Sequence, residues 1–398
     1  MYNRDGFSNI LIGILMAVLF VGVVGTTLLV TKRPNNPVPS PTEQPTNLSS
    51  ENRTTPTPTP IPAPASKTLP SVPIATPLVV PTPAPTSKSA PAPAPVPTPP
   101  PPQSQKPQPG PDIFVIEDDG SIIQPDNYIN IFQLSRKFYS LHPDKNDYDF
   151  LNVFTTFDGS YKVAFHLPVK NEIKGIDIPI TTSTGNVGSS RLLAINYLGY
   201  SYFLRPGLSQ NDIKTNFWVI SHELAHYWLM YVGIDPEFGL SDGSHYAKWA
   251  DTGFIRNGEQ WNDLTGGWPW KDNGDGTVSV NNIKKPGFSS LSLYLMGLIP
   301  ASEVPGIRVV VPNDPADAGF TNVKGKFKII SINDIIAKYG ARNPSYQNAQ
   351  KNFKMAYILL AKKGETPAQY QLDAINYIAQ NYPSEWNFLT DSKSTINQ

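Results

Sequence analysis

The chain has 398 residues, with Lys+Arg and Asp+Glu equal at 32 each, so its formal charge is zero and nothing in its balance suits nucleic acid or another polyanion. It has no cysteine, which excludes disulfides, thiolate metal sites, cysteine nucleophiles and a lipid-modified N-terminal cysteine. Its 42 prolines, most of them before residue 113, are too many for one compact fold and divide the chain before any motif is read.

Residues 10 to 30, "ILIGILMAVLFVGVVGTTLLV", carry no charge, and about 20 such residues span a bilayer as a helix. Arg4 and Asp5 precede this run, and Lys32 and Arg33 follow it, so the flanking charges give no clear orientation. The expectation is an uncleaved signal anchor over residues 1–33. Val23 and Gly25 are small enough for a cleavage site, which would release the protein instead. "GFSNILIGIL" is similar to a type IV prepilin start, but the glutamate of that family is missing after residue 8. Residues 34–112 are rich in Pro, Thr and Ala and cannot form a core; they favour polyproline II and form a disordered linker. At about 3.1 Å per residue such a linker reaches at most roughly 240 Å. Anchor and linker together predict a single-pass membrane protein whose folded part, residues 113–398, is extracellular.

In that part "DIFVIEDDGSIIQPD" has β-like apolar runs around a turn-forming Asp-Asp-Gly. "YDFLNVFTTF" and "YKVAFHLPV" read as two strands joined as a hairpin through "DGS", and "RLLAINYLGYSYF" as another strand. The period then changes. Ile213, Phe217, Ile220, Leu224, Trp228 and Tyr231 recur at helical spacing, with capping side chains from Ser209 to Asp212 and a stop at Gly233. Further helices are expected over 289–298, 331–339, 347–362 and 367–380. Strands first, a central helix, then mostly helices give an α+β class of about 285 residues.

The central helix carries "SHELAHYWLMYVG", with two of the chain's five histidines one turn apart. At i and i+4 the imidazoles of His222 and His226 project from one face, where both reach a single tetrahedral ion. Glu223 flanks that face and is placed to act on a water without being a ligand. Two ligands, a base and an open position are the parts of metal-assisted amide hydrolysis, and they point to zinc.

Through "HELAH" on a helix the sequence resembles the zincin metallopeptidases. The resemblance implies a mixed sheet above an active-site helix, with an edge strand that binds substrate; "RLLAINYL" is the candidate for that strand. Leu229 and Val232 stand where a metzincin has a glycine and a third histidine, and no Glu-x-x-x-Asp follows at the distance usual in simple gluzincins. The wider pattern of "YDFLNVFTTF", "AFHLPVKN", "HELAH", "SHYAKW", "GGWPW" and "FSSLSLYLMGL" is similar to a group of bacterial secreted proteins with a zincin motif. That likeness spans most of 113–380 and implies no particular substrate.

A catalytic zinc site usually has three protein ligands. His245 is the expected third, with Asp251, Asp242, Glu237 and Glu259 as carboxylate alternatives in falling order. His142 and His166 are expected to be structural. Tyr246, by adjacency, and Tyr294, with Met296 beneath the metal as in metzincins, are the candidate transition-state stabilisers. "DNGDGT" has the oxygen-rich look of a calcium loop without its distal glutamate, so a tight hairpin turn accounts for it better. "GGWPW" packs aromatic rings at the cleft or core. The expected function is a membrane-anchored extracellular zinc endopeptidase, monomeric in its catalytic domain, acting on peptides or proteins. The alternative of a different class is a cell-surface binding or adhesion module with a structural zinc.

Overall fold

Asn152 and Asn196 lie side by side in the middle of a sheet that is covered on both faces. The computed structural model describes residues 113–182, 187–229, 231–281 and 285–397; the expected anchor and linker lie outside them. Among the described residues no helix is long and apolar enough to cross a membrane.

The main sheet places Ile113–Glu117, Asn352–Ala361, Phe150–Thr155 and Ala194–Gly199 side by side and parallel, with Phe165–Pro168 antiparallel at the edge beyond Ala194–Gly199. Thr395–Asn397 pairs with the start of Asn352–Ala361. Phe150–Thr155 and Ala194–Gly199 are buried at every position, as parallel strands with both faces covered must be. Alternate residues feed two cores. Leu151, Val153, Ile195, Ile358 and Leu360 meet Leu134 and Phe138 of the helix Ile131–Leu141 on one face. Phe150, Phe154, Leu198, Met355 and Leu359 meet the helix Phe217–Ala225 and the helix Gln369–Leu389 on the other.

The α+β class holds, but several elements differ from expectation. Residues 347–362 contain a strand rather than a helix, because its "MAYILLA" is buried at every position and an unbroken apolar run has no period to read. Phe150–Thr155 and Phe165–Pro168 are not a hairpin, since Ala194–Gly199 lies between them. For the same reason "RLLAINYL" is an interior strand, and the edge is Phe165–Pro168. The helix Ile131–Leu141, capped by Asn130, was not foreseen. After the motif helix the chain is mostly β until Ile330. One six-stranded sheet runs in the order Gly266–Trp268, Tyr246–Asp251, Ile307–Pro312, Val323–Ile330, Thr277–Val280, Trp270–Asp272. Within it "DNGDGT" is the expected turn, joining Trp270–Asp272 to its antiparallel partner, and Trp270 of "GGWPW" is buried against Val278, Val310 and Val323. The expected helices at 289–298 and 331–339 appear as Ser290–Met296 and Ile332–Tyr339, and that at 367–380 extends to Leu389.

Candidate metal centre

The motif region is two helices rather than one. Ser209 and Asp212 form a capping box that starts Gln210–Thr215, and the chain re-nucleates after Asn216 as Phe217–Ala225. Phe217, Ile220 and Leu224 bind this second helix to the sheet. It ends at Ala225, with His226 at its C-cap, so the motif occupies the last turn and not the interior. The final turn tightens, Tyr227 N–H donating to the Leu224 carbonyl and Trp228 N–H to that of Ala225. Asn171 Nδ2 caps the released Tyr227 carbonyl at 2.7 Å.

The third histidine arrives by a loop. Gly233, at φ +84°, turns the chain, and its carbonyl accepts from Leu240 and Ser241. Asp242 Oδ1 then accepts from the main chain of Ser244 at 2.8 Å and of His245 at 2.7 Å, which fixes the turn ahead of the strand Tyr246–Asp251. Here the imidazoles meet. His222 Nε2 lies 3.1 Å from His245 Nε2 and 3.2 Å from His226 Nε2, and all three ligand atoms fall within 4.8 Å of one another.

These distances suit a metal. Nitrogens at 2.0–2.1 Å from a tetrahedral zinc lie roughly 3.3 Å apart. His222 Nδ1 donates to the Leu264 carbonyl at 2.8 Å, so the neutral ring presents a bare lone pair at Nε2. Lone pairs converging at this range repel one another unless a cation or a shared proton lies between them. Burial disfavours the proton. It holds His222 down at about 4, helped by the neighbouring His245, and holds His226 well below the usual imidazole range. His245 is lowered for the same reason. The donor set is therefore neutral imidazole, which zinc accepts readily.

Glu223 stands outside the nitrogen cluster and is 7 % exposed; desolvation pushes its carboxyl up to about 8. On the preceding turn, the Trp218 ring meets His222 edge-on at 6.3 Å and lines a cleft with Asn211, Lys214, Thr215, Pro286 and Glu385.

The other sequence candidates lie elsewhere. Asp251 is ion-paired with Arg308 and accepts from the main chain of Gly253 and Trp270. Glu237 pairs with Lys338 and Glu259 with Lys285. Tyr246 is buried and its hydroxyl is 3.0 Å from Ser292 Oγ, while Tyr294 Oη accepts from Arg342 N–H at 3.3 Å, so each hydroxyl already has a partner. Met296 lies in the core, and its carbonyl accepts from Arg342. His142 packs on Phe114 and Phe138. His166 is nearer than its place in the sequence suggests. It sits on the edge strand with Nδ1 2.9 Å from Asn196 Oδ1, and its ring centroid is 6.4 Å from that of His226. Sequence reading missed Leu264 entirely, because a main-chain carbonyl leaves no residue-type signal.

Comparison with family models, with curated proteins and with solved structures finds no match for this chain.

Proposed function

We propose that the protein is a zinc endopeptidase, carried outside the cell on an N-terminal membrane anchor and a proline-rich spacer. The observation that carries this reading is the convergence of His222, His226 and His245 on one point, with three ligands among the described residues where a closed tetrahedral shell needs four. An open position beside a carboxylate suits hydrolysis better than a purely structural metal. Further support is zincin-like. A mixed sheet lies over the motif helix, and its antiparallel edge strand Phe165–Pro168 is bonded on one side only among the described residues, next to His226. An extended peptide can pair along such an edge.

A zinc ion held by the three histidines would polarise the scissile carbonyl and lower the pKa of water to about 7. Glu223 accepts a proton from the attacking water and returns it to the leaving amine. A carboxyl raised by burial is suited to that exchange, since a cation close by restores its ionised form.

The test is Glu223→Gln, which is close to isosteric but cannot accept the proton. Zinc stoichiometry should stay at the wild-type value while turnover of a broad peptide library falls by about 10²–10⁴-fold. Wild-type protein that holds zinc and cleaves nothing in the library would overturn the peptidase reading in favour of a structural zinc in a binding module.

A further inference from the structure

Asp263 is 1 % exposed and lies where the strand Glu259–Asp263 ends, three residues before Gly266–Trp268 begins. Its two carboxylate oxygens accept four hydrogen bonds. Oδ1 takes the Thr265 N–H at 3.0 Å and the Thr265 hydroxyl at 2.5 Å. Oδ2 takes the Ser289 N–H at 2.8 Å and the Ser292 hydroxyl at 2.7 Å. All four partners donate, so the site calls for a group that only accepts.

The turn closed in this way carries the Leu264 carbonyl. Leu264 N–H is held by the Gly287 carbonyl at 2.7 Å, and the Leu264 oxygen receives His222 Nδ1–H at 2.8 Å. One residue on, the Thr265 carbonyl accepts from Tyr246 N–H at 3.0 Å, and so fixes the main chain immediately after His245. Gly266 then passes so close to His245 that a Cβ on it would lie 3.0 Å from His245 Cβ and 2.9 Å from the Tyr246 oxygen. Two of the three histidines are thus referenced to one four-residue turn, and that turn is referenced to one carboxylate.

We infer that Asp263 is a positioning residue for the metal centre, acting through the Leu264 carbonyl on His222 and through Thr265 on the strand that carries His245. The inference rests on the reading of the three histidines as a metal site. Asp263 touches neither the metal position nor the substrate. It fixes the ring orientation and tautomer of His222, and a hydrogen bond to the distal ring nitrogen also raises the basicity of the ligating one. Replacement by Asn keeps an acceptor for Thr265 but turns an N–H₂ toward the Ser289 N–H, donor against donor, so the turn must shift.

The experiment uses the full chain in detergent and measures zinc affinity by chelator competition for wild type, Asp263→Asn and Thr265→Val. Loss of a ligand's outer partner typically weakens metal binding about 10–100-fold, and that loss is expected for Asp263→Asn. Thr265→Val removes one of the four bonds and leaves the Thr265 main-chain bond in place, so a smaller loss is expected. A second readout follows the His222 Nδ1–H in the nitrogen–proton spectrum of metal-free protein; this signal should be slow to exchange in wild type and altered in both variants. Should Asp263→Asn fail to melt cooperatively, the decision passes to Thr265→Val. A folded variant with an unchanged Nδ1–H signal and wild-type zinc affinity overturns the role of Asp263 and leaves the metal centre standing. Wild-type protein that takes up no zinc overturns the metal centre itself, and the inference with it.

Discussion

At His245 the neutral imidazole has a main chain held by Asp242 and a ring that meets His222 at 3.1 Å. His245→Ala removes one of three nitrogens, so zinc affinity should fall well beyond the roughly 10–100-fold that outer-partner changes cause. His142→Ala should leave it at the wild-type value, since that ring packs on Phe114 and Phe138. His166→Ala should also keep zinc, but it leaves the buried Asn196 Oδ1 without its donor and should cost about 1–3 kcal/mol of stability. Chelator competition and denaturant melts on the same variants separate these effects. A large zinc loss from His166→Ala with His245→Ala unaffected would reverse the ligand assignment. The gathering of His222, His226 and His245 was legible in sequence, because few residue types can ligate a metal and the chain has five imidazoles. The engagement of Tyr246 and Tyr294 elsewhere was not, since a phenol reads the same in a core as in a cleft.

Helix ends show where local sequence is sufficient. Ser209 and Asp212 were readable as a cap, and they form one. Ser209→Ala should cost about 1 kcal/mol, measured by chemical denaturation. The C-terminus of Ser290–Met296 adds a tertiary demand. Gly297 has φ +79°, and a Cβ there would come 2.5 Å from Arg342 Cζ and 2.6 Å from Ala349 Cβ. That guanidinium donates to the carbonyls of Leu295 and Met296, so it cannot easily retreat. Gly297→Ala should therefore destabilise by more than about 1 kcal/mol, through backbone strain and the close contact together. A melt equal to wild type would mean that Arg342 relaxes at no cost. The strand Asn352–Ala361 is the opposite case, where local sequence misled: its apolar run fits helix and strand alike, and only its place between Ile113–Glu117 and Phe150–Thr155 decides.

For the molecule as a whole, the buried histidines set a pH dependence. Burial lowers His166 and His222 to about 4, and lowers His226 further, against an unfolded value near 6.5. Between about pH 6.5 and 4 the unfolded chain binds protons that the folded chain refuses, so stability is full above 6.5 and falls as pH drops through that window. Glu223 runs the other way: with its carboxyl raised to about 8, the folded chain keeps a proton the unfolded chain has released, so its contribution is full below the unfolded value and is lost as pH rises through about 8. Three histidines outweigh one carboxyl below 6.5, so metal-free protein should lose on the order of 1 kcal/mol or more per pH unit there. Zinc-loaded protein should lose more, because only neutral imidazole binds the metal. Denaturant midpoints at several pH values, with and without chelator, check both statements; a flat profile from pH 7 to 5 would contradict the histidine burial.

Sequence by itself determined the chemistry on offer: no thiol, few imidazoles, and two of those one turn apart with a carboxylate between them. It also determined helix starts and tight turns, because caps and turn residues act within a few positions of themselves. Tertiary structure decided everything that depends on a distant partner. It made Phe165–Pro168, and not Ala194–Gly199, the edge of the sheet, since strand order is set by which faces can be covered and not by order along the chain. It brought His245 back to the motif helix through a loop whose closure depends on Asp242, Gly233 and the Asp263–Gly266 turn. And it gave His222 its tautomer through the carbonyl of Leu264, an atom that every residue possesses and that only the fold can place.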